Sequence, residues 1–209
     1  PRSTRTTSWQ RQMCIRDRKV MLYIYIMRVK KRDGSFQEVS FDKVINRLKS
    51  LCEMTPKLNN IDVTEIAQKV CSRIYDGVST GELDELAAEQ CTQKTVEHIE
   101  YSKLASRIII SNNHKITSPS FSETIYILHN NKDVHGKPYP LISEDVYNFV
   151  MENKVKLNDY IDYNRDYNFD YFGFKTLEKA YLMKINKVVV ERIQQLIMRV
   201  SIGIHTDNI

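Results

Sequence analysis

The chain is poor in the residues that punctuate or staple a fold. Its 209 residues include six glycines, five prolines, four cysteines and one tryptophan. So little glycine and proline excludes collagen-like and low-complexity classes. The cysteines, Cys14, Cys52, Cys71 and Cys91, show no CxxC spacing, which argues against a disulfide framework or a zinc ribbon. Cys52 and Cys71 fall on apolar helix faces and Cys91 in another helical stretch, so they read as small buried thiols of a reduced, cytoplasmic protein. No apolar run approaches the roughly 20 residues that span a bilayer. The longest, MLYIYIM at 21–27, is far too short, so no membrane partner is expected. Neither GxxxxGK[ST] nor GxGxxG occurs, which excludes a P-loop and a dinucleotide-binding turn.

What is present is the composition of a globular protein, 42% hydrophobic and 27% charged. The formal net charge of +5 suggests nucleic acid until it is located. Arg2, Arg5, Arg11, Arg16, Arg18 and Lys19 against Asp17 place all of it in the first twenty residues. The body is neutral, so bulk charge does not recruit its partner and no nucleic acid is expected. Residues 1–26 show neither helical nor strand period and read as a non-native leader, with QRQMCIRDR resembling translated adapter sequence. A targeting segment and a disordered arm are the alternatives. Met27, then Met21, is the candidate start.

From residue 27 the pattern becomes regular. Residues 27–33 read as a strand bearing Arg28, Lys30, Lys31 and Arg32. Asp33-Gly34 is a hairpin-turn signal, and residues 36–41 read as the return strand. Asp42 is the expected N-cap of a first helix carrying Val44, Leu48, Leu51 and Cys52 on one face. A second helix starts at Asp62 with Glu65 as a capping box, and a third at Ser79 with Glu82 as another. Leu83, Leu86, Ala87 and Val96 mark the inner side of the third. A fourth runs from about 101 to 112. After a break at 117–120, helices are expected at 121–130, 143–160, 175–185 and 188–203. Residues 130–140 read as a loop, and 162–174 as an aromatic-rich, non-helical stretch.

A basic strand beside helix starts suits phosphate, because the N–H groups there carry partial positive charge and lysine or arginine adds full charge. Lys31, Arg32, Lys43 and Lys115 are the candidates. Thr80 and Asp84 lie one helical turn apart on one face, a pairing suited to a ribose or base. Taken singly, each lysine reads equally as a solvated surface charge. The capping boxes account for Ser79 and Glu82 without any ligand.

VKKRDGSFQEVSFDKV (29–44), GVSTGELDELAAE (77–89) and YSKLASRIIISNNHK (101–115) resemble, in order, the ATP-cone, the regulatory domain of class I ribonucleotide reductase large subunits. YNRDYNFDYFGFKTLEKAYLMKIN (163–186) and ERIQQLIMRVSIGIH (191–205) are similar to the segment leading into the reductase barrel of the eukaryotic and viral type. The resemblance implies a mainly α chain: a β-hairpin plus four-helix cone at 27–117, then at 118–209 the helical part that precedes a ten-stranded α/β barrel. It implies ATP or dATP, with Mg2+, as allosteric effectors held by Lys31, Arg32, Gln37, Glu38, Val39, Ser40, Phe41, Asp42, Lys43, Thr80, Asp84 and Lys115. It further implies a radical-generating small-subunit partner and homo-oligomers that respond to effector. The implied chemistry is thiyl-radical reduction of ribonucleoside diphosphates, with its cysteines outside this chain. Two departures stand out. Gln37 replaces a common Glu, and NKVVVERIQ (186–194) lacks the usual Gly and Pro, which implies either a differently built loop or a divergent or viral member of the family. Competing readings are a zinc-ribbon regulator, which needs cysteines that only Cys14 offers, a helical nucleic-acid-binding module, and a ligand-free interaction domain.

Overall fold

The computed structural model describes residues 27–205, and the readings made for residues 1–26 lie outside the described residues. The chain forms two compact units, up to Leu104 and from Ala105, the division falling within one helix. It is mainly helical, and its described strands form two small antiparallel hairpins.

In the first unit β1 (Arg28–Lys30) pairs with β2 (Phe36–Glu38) in the register Arg28↔Glu38, Val29↔Gln37, Lys30↔Phe36. The turn closes at Gly34, whose φ of 84° suits a residue without Cβ. Asp33 Oδ1 accepts from the Ser35 amide at 2.8 Å and fixes the turn. The strands are shorter than their apolar alternation suggests. After Glu38 the chain already bends into α1 (Phe41–Cys52), and the buried Val39 sends its amide to Met27 O at 3.0 Å. Ser40, not Asp42, is the N-cap of α1. Both are capping types, but Ser40 takes the extended conformation a cap requires, while Asp42 sits in the first turn and favours the positive end of the helix.

Helix α2 (Val63–Cys71) starts at Asp62, whose carboxylate accepts from the Glu65 amide at 3.0 Å. The expected reciprocal bond from Glu65 is not made, because Glu65 pairs with Lys69 at 2.9 Å and with the buried Lys94. Helix α3 (Thr80–Gln93) has the complete capping box of Ser79 and Glu82. It gives way to a 3₁₀ turn at Lys94–Val96, which rotates Val96 out of helical phase. Val96 is therefore 96% exposed rather than inward. Helix α4 (Glu100–Ile116) follows. Leu48, Ile66, Val70, Val78, Ala88 and Leu104 build the core of this unit, with Cys52, Cys71 and Cys91 buried among them. Burial pushes the Cys71 thiol up to about 11 and the Cys91 thiol up to about 12.

The second unit continues through α5 (Phe121–His129), α6 (Glu144–Glu152) and α7 (Lys154–Tyr160). The single helix expected at 143–160 is split at Asn153, whose side chain donates to Phe149 O at 3.0 Å and competes with the backbone ladder. A 3₁₀ turn (Tyr163–Asn168) leads to α8 (Tyr171–Ala180), earlier than the apolar period alone indicates. Asp170 caps it, accepting from the Gly173 amide at 2.6 Å, and a Cβ at Gly173 would lie 2.7 Å from that oxygen. The helix expected from 188 begins instead as α9 (Ile193–His205), because β3 (Lys184–Ile185) and β4 (Val188–Val189) form a hairpin first. Its two turn residues, Asn186 and Lys187, hold φ of 50° and 68°. The core gathers Phe121, Ile125, Leu128, Val150 and Ile202 in one cluster and Ile109, Ile110, Phe174 and Ile193 in another.

Three polar side chains buried here are well paired. Arg192 donates from Nε to Thr117 Oγ1 and from Nη2 to the carbonyls of His114 and Thr117, each at 3.0 Å, and lies over the Tyr163 ring. Gln195 accepts from the Arg192 amide and donates to Ser118 O and Tyr163 Oη, each at 3.0 Å. Glu191, wholly buried, accepts from Arg199 Nε at 2.7 Å and Nη2 at 3.2 Å and from the Met183 amide at 3.1 Å.

Two stability predictions follow from these contacts. Lys187 occupies left-handed backbone that glycine adopts freely, so Lys187→Gly should raise stability by about 1 kcal/mol in urea unfolding. No gain would mean the turn carries no strain. Arg199→Ala leaves a buried carboxylate without its cation and should cost about 3 kcal/mol. A loss below about 1 kcal/mol, the range of exposed pairs, would contradict that account.

Candidate functional site

The first unit brings three segments to one carboxylate. Strand β1 is bonded on its second edge to the segment leading into α3. Gly77 N donates to Arg28 O at 2.8 Å, and Lys30 N to Val78 O at 2.9 Å. Asp76 accepts from the Arg28 amide at 2.7 Å and from its guanidinium at 3.5 Å. These contacts set the hairpin turn beside the start of α3. There Asp84, 8% exposed, receives Arg32 from the turn, with Nη2 at 3.8 Å from Oδ2. It also receives Arg47 from α1, with Nε at 3.5 Å from Oδ1 and Nη2 at 3.5 Å from Oδ2.

One turn earlier on α3, Thr80 Oγ1 is buried and has no hydrogen-bond partner. Leaving a hydroxyl in that state costs about 1–3 kcal/mol, so such an atom calls for a ligand or water to explain it. The start of α1 is open in another sense. The N-caps of α2, α3, α5, α6 and α8 each accept a helix amide with the side chain, whereas Ser40 does not. Its carbonyl accepts from the Lys43 amide at 3.1 Å.

The structure distributes the sequence candidates unevenly. Lys31, Arg32, Glu38, Asp42 and Lys43 are exposed, while Gln37, Ser40 and Phe41 are half-buried. Val39 is buried in the core, so its side chain is scaffold. Arg32, Thr80 and Asp84 are brought together around α3. Lys115 is exposed in the last turn of α4, within the second unit, and the geometry of the first unit does not include it. Arg47 is the residue that sequence reasoning missed. Along α1 it reads as one more basic residue, and its contact with Asp84 is tertiary.

Chemically, two guanidiniums meet one buried carboxylate. The basic hairpin turn reaches it through Arg32, and an unpaired hydroxyl, Thr80 Oγ1, lies one turn away. Groups of this kind suit hydrogen bonding and charge pairing with phosphate or hydroxyl better than acid–base catalysis. Among the described residues no group of three His, Cys, Asp or Glu side chains is placed to hold a metal.

Comparison with known proteins matches residues 27–116 to the ATP cone domain and residues 167–209 to the all-alpha domain of ribonucleotide reductase. The chain is 49% identical over 188 residues to a ribonucleoside-diphosphate reductase large subunit of Dictyostelium discoideum, covering 88% of this chain and 21% of that protein. It is 48% identical over 184 residues to the Arabidopsis thaliana large subunit, covering 88% and 22%, and 49% identical over 182 residues to that of Caenorhabditis elegans, covering 87% and 23%. The chain belongs to the ribonucleotide reductase large-subunit family. It spans about a fifth of the length of the curated relatives it matches. The three converging segments of the first unit all lie within its cone.

The cone's hairpin depends on carboxylates that stay ionised. The Arg28 amide and guanidinium hold Asp76 below its ordinary 3.8. The Ser79 amide and hydroxyl, with Tyr75, hold Glu82 below 4.5. Their contribution is complete above those ordinary values and is lost as pH falls through the lowered ones. The midpoint of thermal unfolding should hold between pH 7 and about 5, then drop below about pH 4.5, the ordinary glutamate value. Asp76→Asn should flatten that drop in circular dichroism melts. An unchanged slope would remove Asp76 from the account.

Proposed function

We propose that the cone is a regulatory site for a nucleoside triphosphate, ATP or dATP, in the large subunit of a ribonucleoside-diphosphate reductase. The reading rests foremost on one observation: the buried, unpartnered Thr80 hydroxyl stands one helical turn from a carboxylate flanked by two guanidiniums. In this reading Lys31, Arg32 and Lys43 take the phosphates, aided by the start of α1. Thr80 and Asp84 face the sugar or base. ATP and dATP differ by one 2′-hydroxyl, so Asp84, an acceptor in that neighbourhood, is assigned a part in telling them apart. The side chains at hand do not build a magnesium site, because Asp84 is already held by cations; the ion is assigned to the nucleotide's phosphates. The segment 27–117 is assigned the regulation and 118–209 the approach to a catalytic barrel.

The wider assignment follows the relatives. The whole protein would reduce ribonucleoside diphosphates, draw its radical from a small subunit and form homo-oligomers that respond to effector in the cytoplasm. Cys52, Cys71 and Cys91 take no part in that chemistry, since each is buried in the helices of the first unit. Effector control of this kind requires the ligands to differ in affinity for two assembly states.

Calorimetric titration of ATP and dATP, with magnesium, into the full chain tests this. Saturable binding is expected, weakened at least about tenfold in a Lys31→Ala, Arg32→Ala variant that loses charged phosphate contacts. Asp84→Asn should shift the ratio of the two affinities. A folded parent that binds neither nucleotide would overturn the assignment.

A further inference from the structure

The Thr80 hydroxyl makes no hydrogen bond within the chain, so no bond of its own aims it. A threonine side chain is stiff about its first torsion, and its direction is inherited from the backbone that carries it. That backbone is held by a short chain of contacts. The turn at 75–78 closes through Val78 N donating to Tyr75 O at 3.2 Å, with Gly77 at a φ of 85°. It folds Tyr75 back onto the first turn of α3, where the phenol donates to Glu82 Oε1 at 3.0 Å. The other oxygen of that carboxylate accepts from the Ser79 amide at 2.8 Å. Ser79 Oγ accepts in return from the Glu82 amide at 3.1 Å. Ser79 immediately precedes Thr80 and also bridges Lys30 of the hairpin. A capping box needs only one oxygen of its glutamate, and a glutamate held at one oxygen keeps rotamer freedom. The second bond, from Tyr75, removes it.

We propose that Tyr75 and Glu82 are positioning residues for the effector: through Ser79 they fix the backbone that aims the Thr80 hydroxyl at the sugar or base of the nucleotide. This rests on the nucleotide reading above and adds how its unpaired hydroxyl is set. Neither residue touches the ligand. Their bonds are internal to the fold, so Thr80 is oriented before a ligand arrives, and preorganisation of this kind raises affinity without adding a contact. The effect is confined to the sugar and base, because the phosphates are assigned to the hairpin turn and α1. Removing the Tyr75 hydroxyl therefore weakens ATP by way of Thr80. A merely stabilising bond would act whether or not Thr80 is present.

Calorimetric titration of ATP, with magnesium, into the full chain, Tyr75→Phe, Thr80→Ala and the double variant forms a double-mutant cycle, with circular dichroism confirming each fold. Tyr75→Phe should weaken ATP about fivefold, the scale of one hydrogen bond. On the Thr80→Ala background the same change should cost less than about twofold. Glu82→Ala should weaken ATP about tenfold, and Glu82→Gln, which keeps an acceptor for the Ser79 amide, by no more than about threefold. Inorganic tripolyphosphate has neither sugar nor base, and Tyr75→Phe should weaken it less than about twofold. Equal losses from Tyr75→Phe with and without Thr80, or equal losses for ATP and tripolyphosphate, would overturn the positioning role while leaving the nucleotide site standing. A Thr80→Ala variant that binds ATP as the parent does would overturn it as well. A parent that binds no ATP would overturn both. Tyr75→Phe deletes one hydroxyl from a side chain that is 55% exposed, so the cycle does not depend on Glu82→Ala folding. Where tripolyphosphate binds too weakly to titrate, the cycle on ATP decides.

Discussion

The cone's geometry hangs on two backbone hydrogen bonds, Gly77 N to Arg28 O and Lys30 N to Val78 O. They fasten a short hairpin, which has little apolar surface of its own, to the residues entering α3. An isolated two-stranded hairpin is marginal in water. Here its first strand gains a second neighbour, a buried Val29 and the Asp76 clamp on Arg28. Everything assigned to the site follows from that attachment. It puts a basic turn within reach of Asp84, and it does so through main-chain groups, so the Arg32 side chain can pair with that carboxylate.

The second unit solves a different problem. Its helices bury Arg192, Gln195 and Thr117 as one bonded set and Glu191 with Arg199 as another, with most of their hydrogen-bonding capacity used. Desolvation lowers the affinity of the Arg192 guanidinium for its proton and raises that of the Tyr163 hydroxyl, yet three carbonyl and hydroxyl contacts and the Tyr163 ring hold the arginine in place. Satisfied networks of this kind admit few alternative packings.

Much of this was legible in the sequence, for identifiable reasons. Asp33-Gly34 announced the hairpin because a positive φ was needed there. The Ser79–Glu82 capping box placed α3, and with it the Thr80–Asp84 face. Other features left no local signal. Asn186-Lys187 form a tight turn without glycine, so the apolar run around them reads as helix. Asn153 interrupts a helix whose period continues on both sides. Arg47 belongs to the site only through tertiary contact with α3, and position along α1 alone marks it as one more basic residue. Ser40 and Asp42 are both capping types, and only the backbone conformation decides between them.

Cys52, Cys71 and Cys91 all lie in the first unit, and the sequence from 105 onward holds no cysteine. Their thiols are hidden and, for Cys71 and Cys91, hard to ionise, so alkylating reagents meet them only when that unit opens. The chain thus carries its own reporter: the rate at which these thiols become modified is a clock for local opening of the effector unit, blind to breathing in the other.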